Sequence, residues 1–219
     1  VERTWLIPHF EKMLYDNGQL ASLFVEAAAA FGEPRYLDVA RTTLDFMLKE
    51  MYEPTGGFYA SYDADSGGEE GTFYVWTPKE LKAIAGESDG EVLALLLGVT
   101  EKGNFEHNTS VVTRRISTGD VGKKTGRTAR AVEALWAKYQ PVLYEIRSKR
   151  IWPGLDKKLV TAWNGLGISG MAKGFAATGD VRYRDAATRT ADLIWKTHRR
   201  PGGGLYRASN GGKAEHVAI

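Results

Sequence analysis

Phe31-Gly32-Glu33-Pro34-Arg35-Tyr36-Leu37-Asp38-Val39-Ala40 decides the fold, because the chain writes it twice. At a constant offset of 147 residues it returns as Thr178-Gly179-Asp180-Val181-Arg182-Tyr183-Arg184-Asp185-Ala186-Ala187. The match extends both ways from that turn. Asn17-Gly18 becomes Asn164-Gly165, and Ala29-Ala30 becomes Ala176-Ala177. Thr43, Asp45 and Lys49 become Thr190, Asp192 and Lys196, and Gly56-Gly57-Phe58-Tyr59 becomes Gly203-Gly204-Leu205-Tyr206. A gapless repeat of helix, Gly-containing turn, helix and Gly-aromatic loop predicts helical hairpins stacked side by side. Such hairpins are a scaffold, and chemistry on a scaffold of this kind belongs to the loops at one end.

Composition bounds the function. The 219 residues carry 29 Lys and Arg against 27 Asp and Glu, a net charge of +2 that leaves no basic stripe for nucleic acid. Cysteine is absent, so neither a disulfide nor thiol chemistry is available, and a cytoplasmic location fits. The longest mostly apolar stretch, Ala21–Phe31, is too short to cross a bilayer and contains Glu26, so no membrane association is expected. Val1 and Ile219 read as the cut ends of a longer chain.

Hydrophobic spacing predicts a first helix opening at Pro8 and a second ending near Pro54. Two short aromatic strands are expected over 56–65 and 71–76, around a polar turn at Ser66–Glu70. Thr77-Pro78-Lys79-Glu80 has the order of a helix cap, a proline at the first helical position and a charged first turn. Short helices follow at 81–85 and 92–97, a basic linker at 123–127 and a long helix over 129–149. The second hairpin runs from about Asp156 to His198.

Polar residues crowd the start of the first hairpin. On a helix, His9, Lys12 and Asp16 would share one face, with Glu11 and Tyr15 on a neighbouring one. Such a cluster reads either as a solvated face or as the lining of a cavity. Asp63 and Asp65, spaced i and i+2, would point to one face of a strand. Paired carboxylates are how glycosidases handle a glycosidic bond. The Asp63-x-Asp65-x-Gly67 spacing invites comparison with a calcium loop, but Tyr74 stands where that loop needs Glu. No metal and no organic cofactor is therefore expected. Tyr62 and Trp76 flank the acids and serve equally as a sugar platform or as core. At the second copy, Asp156 falls opposite His9, and Trp163 and Asn164 follow. Asn17 and Asn164 either face the cavity or tie loop backbone at equivalent joints. His107, His198 and His216 read as surface residues.

Taken in order, Ile7–Asn17, Gly57-Phe58-Tyr59 with Asp63-Ala64-Asp65-Ser66, Glu70–Trp76, Gly103-Asn104-Phe105-Glu106 and Trp163-Asn164-Gly165-Leu166 resemble successive blocks of one family. It is the thioredoxin-domain-containing family that includes spermatogenesis-associated protein 20 and bacterial relatives. The resemblance implies an all-α fold, part of a six-hairpin (α/α)6 toroid with short β-hairpin insertions in its loops. It implies one toroid domain over 1–219, like those of N-acylglucosamine 2-epimerases and six-hairpin glycosidases. The family's N-terminal thioredoxin-like domain is absent from this stretch and is the expected partner. The expected ligand is a sugar-like small molecule. His9, Glu11, Asp63 and Asp65 are the catalytic candidates. Lys12, Tyr15, Asp16, Tyr62, Trp76, Asp156, Trp163 and Asn164 are the candidates for substrate contact. The alternatives are a non-catalytic glycan- or protein-binding module and a purely structural polar network.

Overall fold

The computed structural model describes residues 3–217, with side chains given to 214. In chain order it contains β1 (Lys12–Met13), α1 (Leu14–Phe31), α2 (Pro34–Phe46), β2 (Ser61–Tyr62), β3 (Asp65–Ser66) and β4 (Glu69–Glu70). There follow α3 (Pro78–Ala85), α4 (Glu87–Leu97), α5 (Thr118–Thr125), α6 (Ala129–Ser148), β5 (Leu155–Asp156) and β6 (Leu159–Val160). Last come α7 (Thr161–Thr178), α8 (Val181–Thr197), β7 (Tyr206–Asn210) and β8 (Lys213–Val217). The fold class is the one the sequence implies: all-α, built of helical hairpins with short β insertions between them. Among the described residues no helix is long and apolar enough to cross a membrane.

Two compact units divide the chain. One takes the segment up to Phe10 and Ala64–Pro153; the other takes Glu11–Asp63 and everything from Gly154 on. The second unit contains both copies of the repeat, and the offset of 147 holds element by element. Helices α1 and α7 begin and end at equivalent residues, and α2 and α8 begin at equivalent residues. Gly32 and Gly179 end α1 and α7 in the left-handed conformation, φ 65° and 72°, which glycine adopts without a Cβ penalty. The isolated bridges Tyr52–Phe58 and Arg199–Leu205 are equivalents. So are the ladder pairs Lys12–Tyr62 and Leu159–Ser209. Each copy is thus a helical hairpin with a small antiparallel sheet: β1-β2-β5 in the first, β6-β7-β8 in the second.

Helices α1 and α7 can pack closely because glycines face one another. A Cβ on Gly18 would lie 2.8 Å from the Leu166 carbonyl carbon, and one on Gly170 would lie 2.9 Å from the Gly18 oxygen. Leu14, Leu44, Met47, Met51, Phe58 and Tyr183 fill the space around this contact and are essentially inaccessible to solvent.

In the first unit, α3 to α6 enclose a core of Leu81, Leu93, Leu96, Val121, Val132 and Leu143. The expected cap is present. Thr77 Oγ1 accepts the Glu80 N–H, and Glu80 Oε2 accepts the Thr77 N–H at 2.8 Å. The other Glu80 oxygen takes Arg150 Nη2 at 3.0 Å. Arg150 Nη1 donates to the Phe73 and Val75 carbonyls at 3.1 and 2.7 Å, and its guanidinium lies 4.2 Å from the Trp76 ring centre. One arginine therefore closes the aromatic loop over the α3 cap, a role no local sequence pattern advertises. The expected basic linker at 123–127 is instead the end of α5, started by a Ser117 cap and stopped by Gly126.

Candidate functional site

The first helix starts at Leu14 and not at Pro8, because Lys12 and Met13 are held extended against Tyr62 and Ser61. His9, Lys12 and Asp16 therefore share no helical face. Strand β2 likewise ends at Tyr62 and β3 opens at Asp65, so Asp63 and Asp65 do not lie i, i+2 on one strand. Asp65 and His9 belong to the first unit; Glu11, Lys12, Tyr15, Asp16, Tyr62, Asp63, Asp156, Trp163 and Asn164 belong to the second.

Within the second unit the sheet sets a definite arrangement. Ser61 pairs with Asp156 and Tyr62 with Leu155, while the Asp63 N–H donates to the Gly154 carbonyl at 2.8 Å. Continuing the β1–β2 ladder one residue past Lys12–Tyr62 sets Glu11 opposite Asp63. Side chains alternate along strands, so Glu11, Asp63 and Asp156 fall on one face, with Met13 and Ser61. Lys12, Tyr62 and Leu155 fall on the other, which faces the core. Three carboxylates thus stand on the outward face of a sheet that feeds the N-terminal ends of α1 and α7. Beside it the Tyr15 and Trp163 rings meet edge to face, 4.9 Å between centres. Asp156 is further positioned by Lys158, whose backbone N–H donates to Oδ1 at 3.1 Å and whose Nζ lies 3.0 Å from Oδ2. Among the described residues no group of three or more His, Cys, Asp or Glu converges closely enough to share a metal ion.

Three expected ligand contacts are instead structural. Asn164 is fully buried; its Oδ1 accepts the Phe58 N–H at 2.7 Å, and its Nδ2 donates to the Phe58 and Val160 carbonyls at 3.0 Å each. Its polar atoms are spent on the Gly57-Phe58 loop. Asn17, its equivalent, donates to Met13 as Asn164 does to Val160. Tyr62 is 8% exposed, and its hydroxyl donates to the Glu50 carbonyl at 3.0 Å; burial pushes its pKa up. Trp76 is 5% exposed and lies under Arg150 in the core of the first unit.

Two features escaped the sequence reading. His198 is fully buried and not at the surface; its Nδ1 lies 3.0 Å from Thr197 Oγ1, and among the described residues its Nε2 has no hydrogen-bond partner. Burial holds its pKa below the ordinary imidazole range, an effect partly offset by the Leu159 backbone. The offset of 147 maps it onto Met51, also fully buried, and that correspondence is the signal that marks it as a core position. In the first unit, the 103–111 loop holds His107 and Asn108 in succession at φ 54° and 56°. Asn104 secures it, donating to the Val111 carbonyl at 3.1 Å and accepting the Val111 N–H at 2.8 Å. His107 Nε2 lies 3.5 Å from Glu69 on the surface. His216 lies beyond the described side chains.

No family model matches the chain. Human spermatogenesis-associated protein 20 is 35% identical over 217 residues, a match covering 88% of this chain. An uncharacterized protein of Caenorhabditis elegans, B0495.5, is 29% identical over 216 residues and 88% of this chain. The chain spans only 28% of the human protein's length. Among solved structures, cellobiose 2-epimerase from Bacillus thermoamylovorans B4167 aligns with 95% of this chain and 67% of its own, at 14% identity and a TM-score of 0.28. A likeness at that level assigns neither substrate nor reaction here. The sequence matches, with their length and identity, place the chain over this segment in the family that includes spermatogenesis-associated protein 20.

Proposed function

We propose that the chain is part of a single six-hairpin toroid domain that acts on a sugar-like small molecule, as an epimerase, isomerase or glycosidase. The observation that carries this reading is the outward face of β1-β2-β5, where Glu11, Asp63 and Asp156 accompany the Tyr15–Trp163 ring pair. Carboxylates accept hydrogen bonds from vicinal hydroxyls and can exchange protons with them. Aromatic faces cover the apolar face of a pyranose. On this reading Glu11 and Asp63 supply acid and base. Asp16 and Asp156 orient the hydroxyls, and Tyr15 and Trp163 form the platform. A thioredoxin-like domain elsewhere in the full-length protein is the proposed partner.

The test is thermal unfolding of the full chain across a panel of neutral, amino and acidic monosaccharides, repeated on Asp63→Asn and Trp163→Leu. Saturating sugar at about a hundred times its Kd should add about 2.7 kcal/mol of stability to the wild type, and much less to either variant. NMR detection of a converted sugar separates catalysis from binding alone. Equal protection of all three proteins, or none, rejects the site.

A further inference from the structure

The second copy of the sheet motif is hollow where the first is filled. In the first copy the Tyr62 ring packs in the core and its hydroxyl donates to the carbonyl of Glu50. Phe46 packs against the same core. The offset of 147 carries Tyr62 to Ser209, Glu50 to Thr197 and Phe46 to Leu193. Three large or long side chains are thus replaced by smaller ones on a backbone whose ladder register is the same. A cavity of about 390 Å³ opens at that place, and Ser209, Thr197 and Leu193 all line it.

Its walls are built. The loop that carries Glu53 and Tyr59 is closed on itself, with the Glu53 N–H donating to the Gly57 carbonyl and the Gly56 N–H to the Glu53 carbonyl, both at 2.9 Å. Asn164 clamps the loop from behind through Phe58. Gly57, at φ 95°, lets it pass close to Leu159 and Leu193, to which an added Cβ would come within 3.3 and 3.1 Å. Glu53, Lys157, Tyr59, Thr197, Ser209 and Asn210 line the cavity together with Leu159 and Leu193.

We infer that this cavity is a second small-molecule site, separate from the β1-β2-β5 face, and that it takes a monosaccharide-sized polyol. The ligand class, though not the cavity, rests on the sugar-acting reading proposed above. The volume falls within the range of small-ligand pockets. A ligand hydroxyl takes the place of the tyrosine hydroxyl that the first copy directs at the equivalent helix end. A simple phenol would replace that ring but give the Lys157 ammonium and the Asn210 amide no hydrogen bond, a mismatch that costs affinity.

The repeat itself supplies the test. Ser209→Tyr puts into the second copy the residue the first copy already accommodates, so it fills the cavity in a fold that tolerates it. Saturation-transfer NMR titrations of the full chain with D-glucose, D-glucosamine and D-glucuronate should give a saturable signal for at least one sugar. In the Trp163→Leu background, where the β1-β2-β5 face no longer contributes, Ser209→Tyr should abolish that signal. Asn210→Ala, at an exposed hairpin turn that does not threaten folding, should weaken it by up to about tenfold, the loss of one hydrogen bond. Trp163→Leu, at the other face, should leave it in place. Binding unchanged in both Ser209→Tyr and Asn210→Ala overturns the cavity site, and its loss in Trp163→Leu moves the sugar to the first face with the broader reading intact. Absence of a saturable signal from all three sugars overturns both. If Ser209→Tyr does not fold, Asn210→Ala decides alone.

Discussion

Replacing Asn164 by Ala would strand the Phe58 N–H and carbonyl in a fully buried joint. Unsatisfied buried groups are costly out of proportion to the bond they lose, so Asn164→Ala should destabilise by about 2–4 kcal/mol in chemical denaturation. Asn17→Ala, at a half-buried position, should cost clearly less. Equal costs would contradict the assignment of Asn164 as the clamp. His198 makes a different prediction. Its folded pKa is depressed by burial, so between that value and the unfolded value of about 6.5 the unfolded chain binds more protons than the native one. Stability then falls as pH drops below about 6.5. His198→Met copies the residue at the equivalent position of the first repeat, and it should flatten the fall between pH 7 and 5. An unchanged pH slope in that variant would show that His198 contributes nothing to it.

Among elements, the α1–α7 contact discriminates between glycines that a propensity scale treats alike. Gly18 faces Leu166 backbone at a distance no Cβ tolerates, whereas a Cβ on Gly165 meets nothing within 4 Å. Gly18→Ala should force the helices apart and cost about 1–3 kcal/mol. Gly165→Ala should stabilise by about 0.5–1 kcal/mol, because it removes glycine's entropy penalty in a helix. Melting temperatures moving in opposite directions would support the packing; both rising would contradict it. The Arg150 junction is the matching case in the first unit. Arg150→Met keeps much of the aliphatic stem over Trp76 but leaves the Phe73 and Val75 carbonyls without their donor. It should cost about 1–3 kcal/mol, read from the urea midpoint, and a change within about 0.5 kcal/mol would contradict the lock.

Over the whole molecule, the 147-residue offset was legible at once, because a repeat needs no knowledge of contacts. It carried the hairpin turns and the glycines that end α1 and α7, while the local Thr77-Pro78-Lys79-Glu80 order gave the cap of α3. What it could not carry were strands of two residues, too short to show an alternation. Reading through β1 as helix put His9, Lys12 and Asp16 on a face that does not exist. Tyr62, Trp76 and Asn164 misled for a second reason: an aromatic or an amide in a loop looks the same in sequence whether it meets a ligand or backbone. Burial separated them, and the strand register set Glu11, Asp63 and Asp156 on the outward face.

Whether those acids form a binding face is the central claim, and ¹H–¹⁵N spectra of the full chain titrated with monosaccharides test it most directly. The account predicts saturable amide shifts concentrated at 11–16, 61–63 and 154–164, with a separate set at 53–59 and 209–212. Shifts confined to the 103–111 loop, or none at any position, would contradict it.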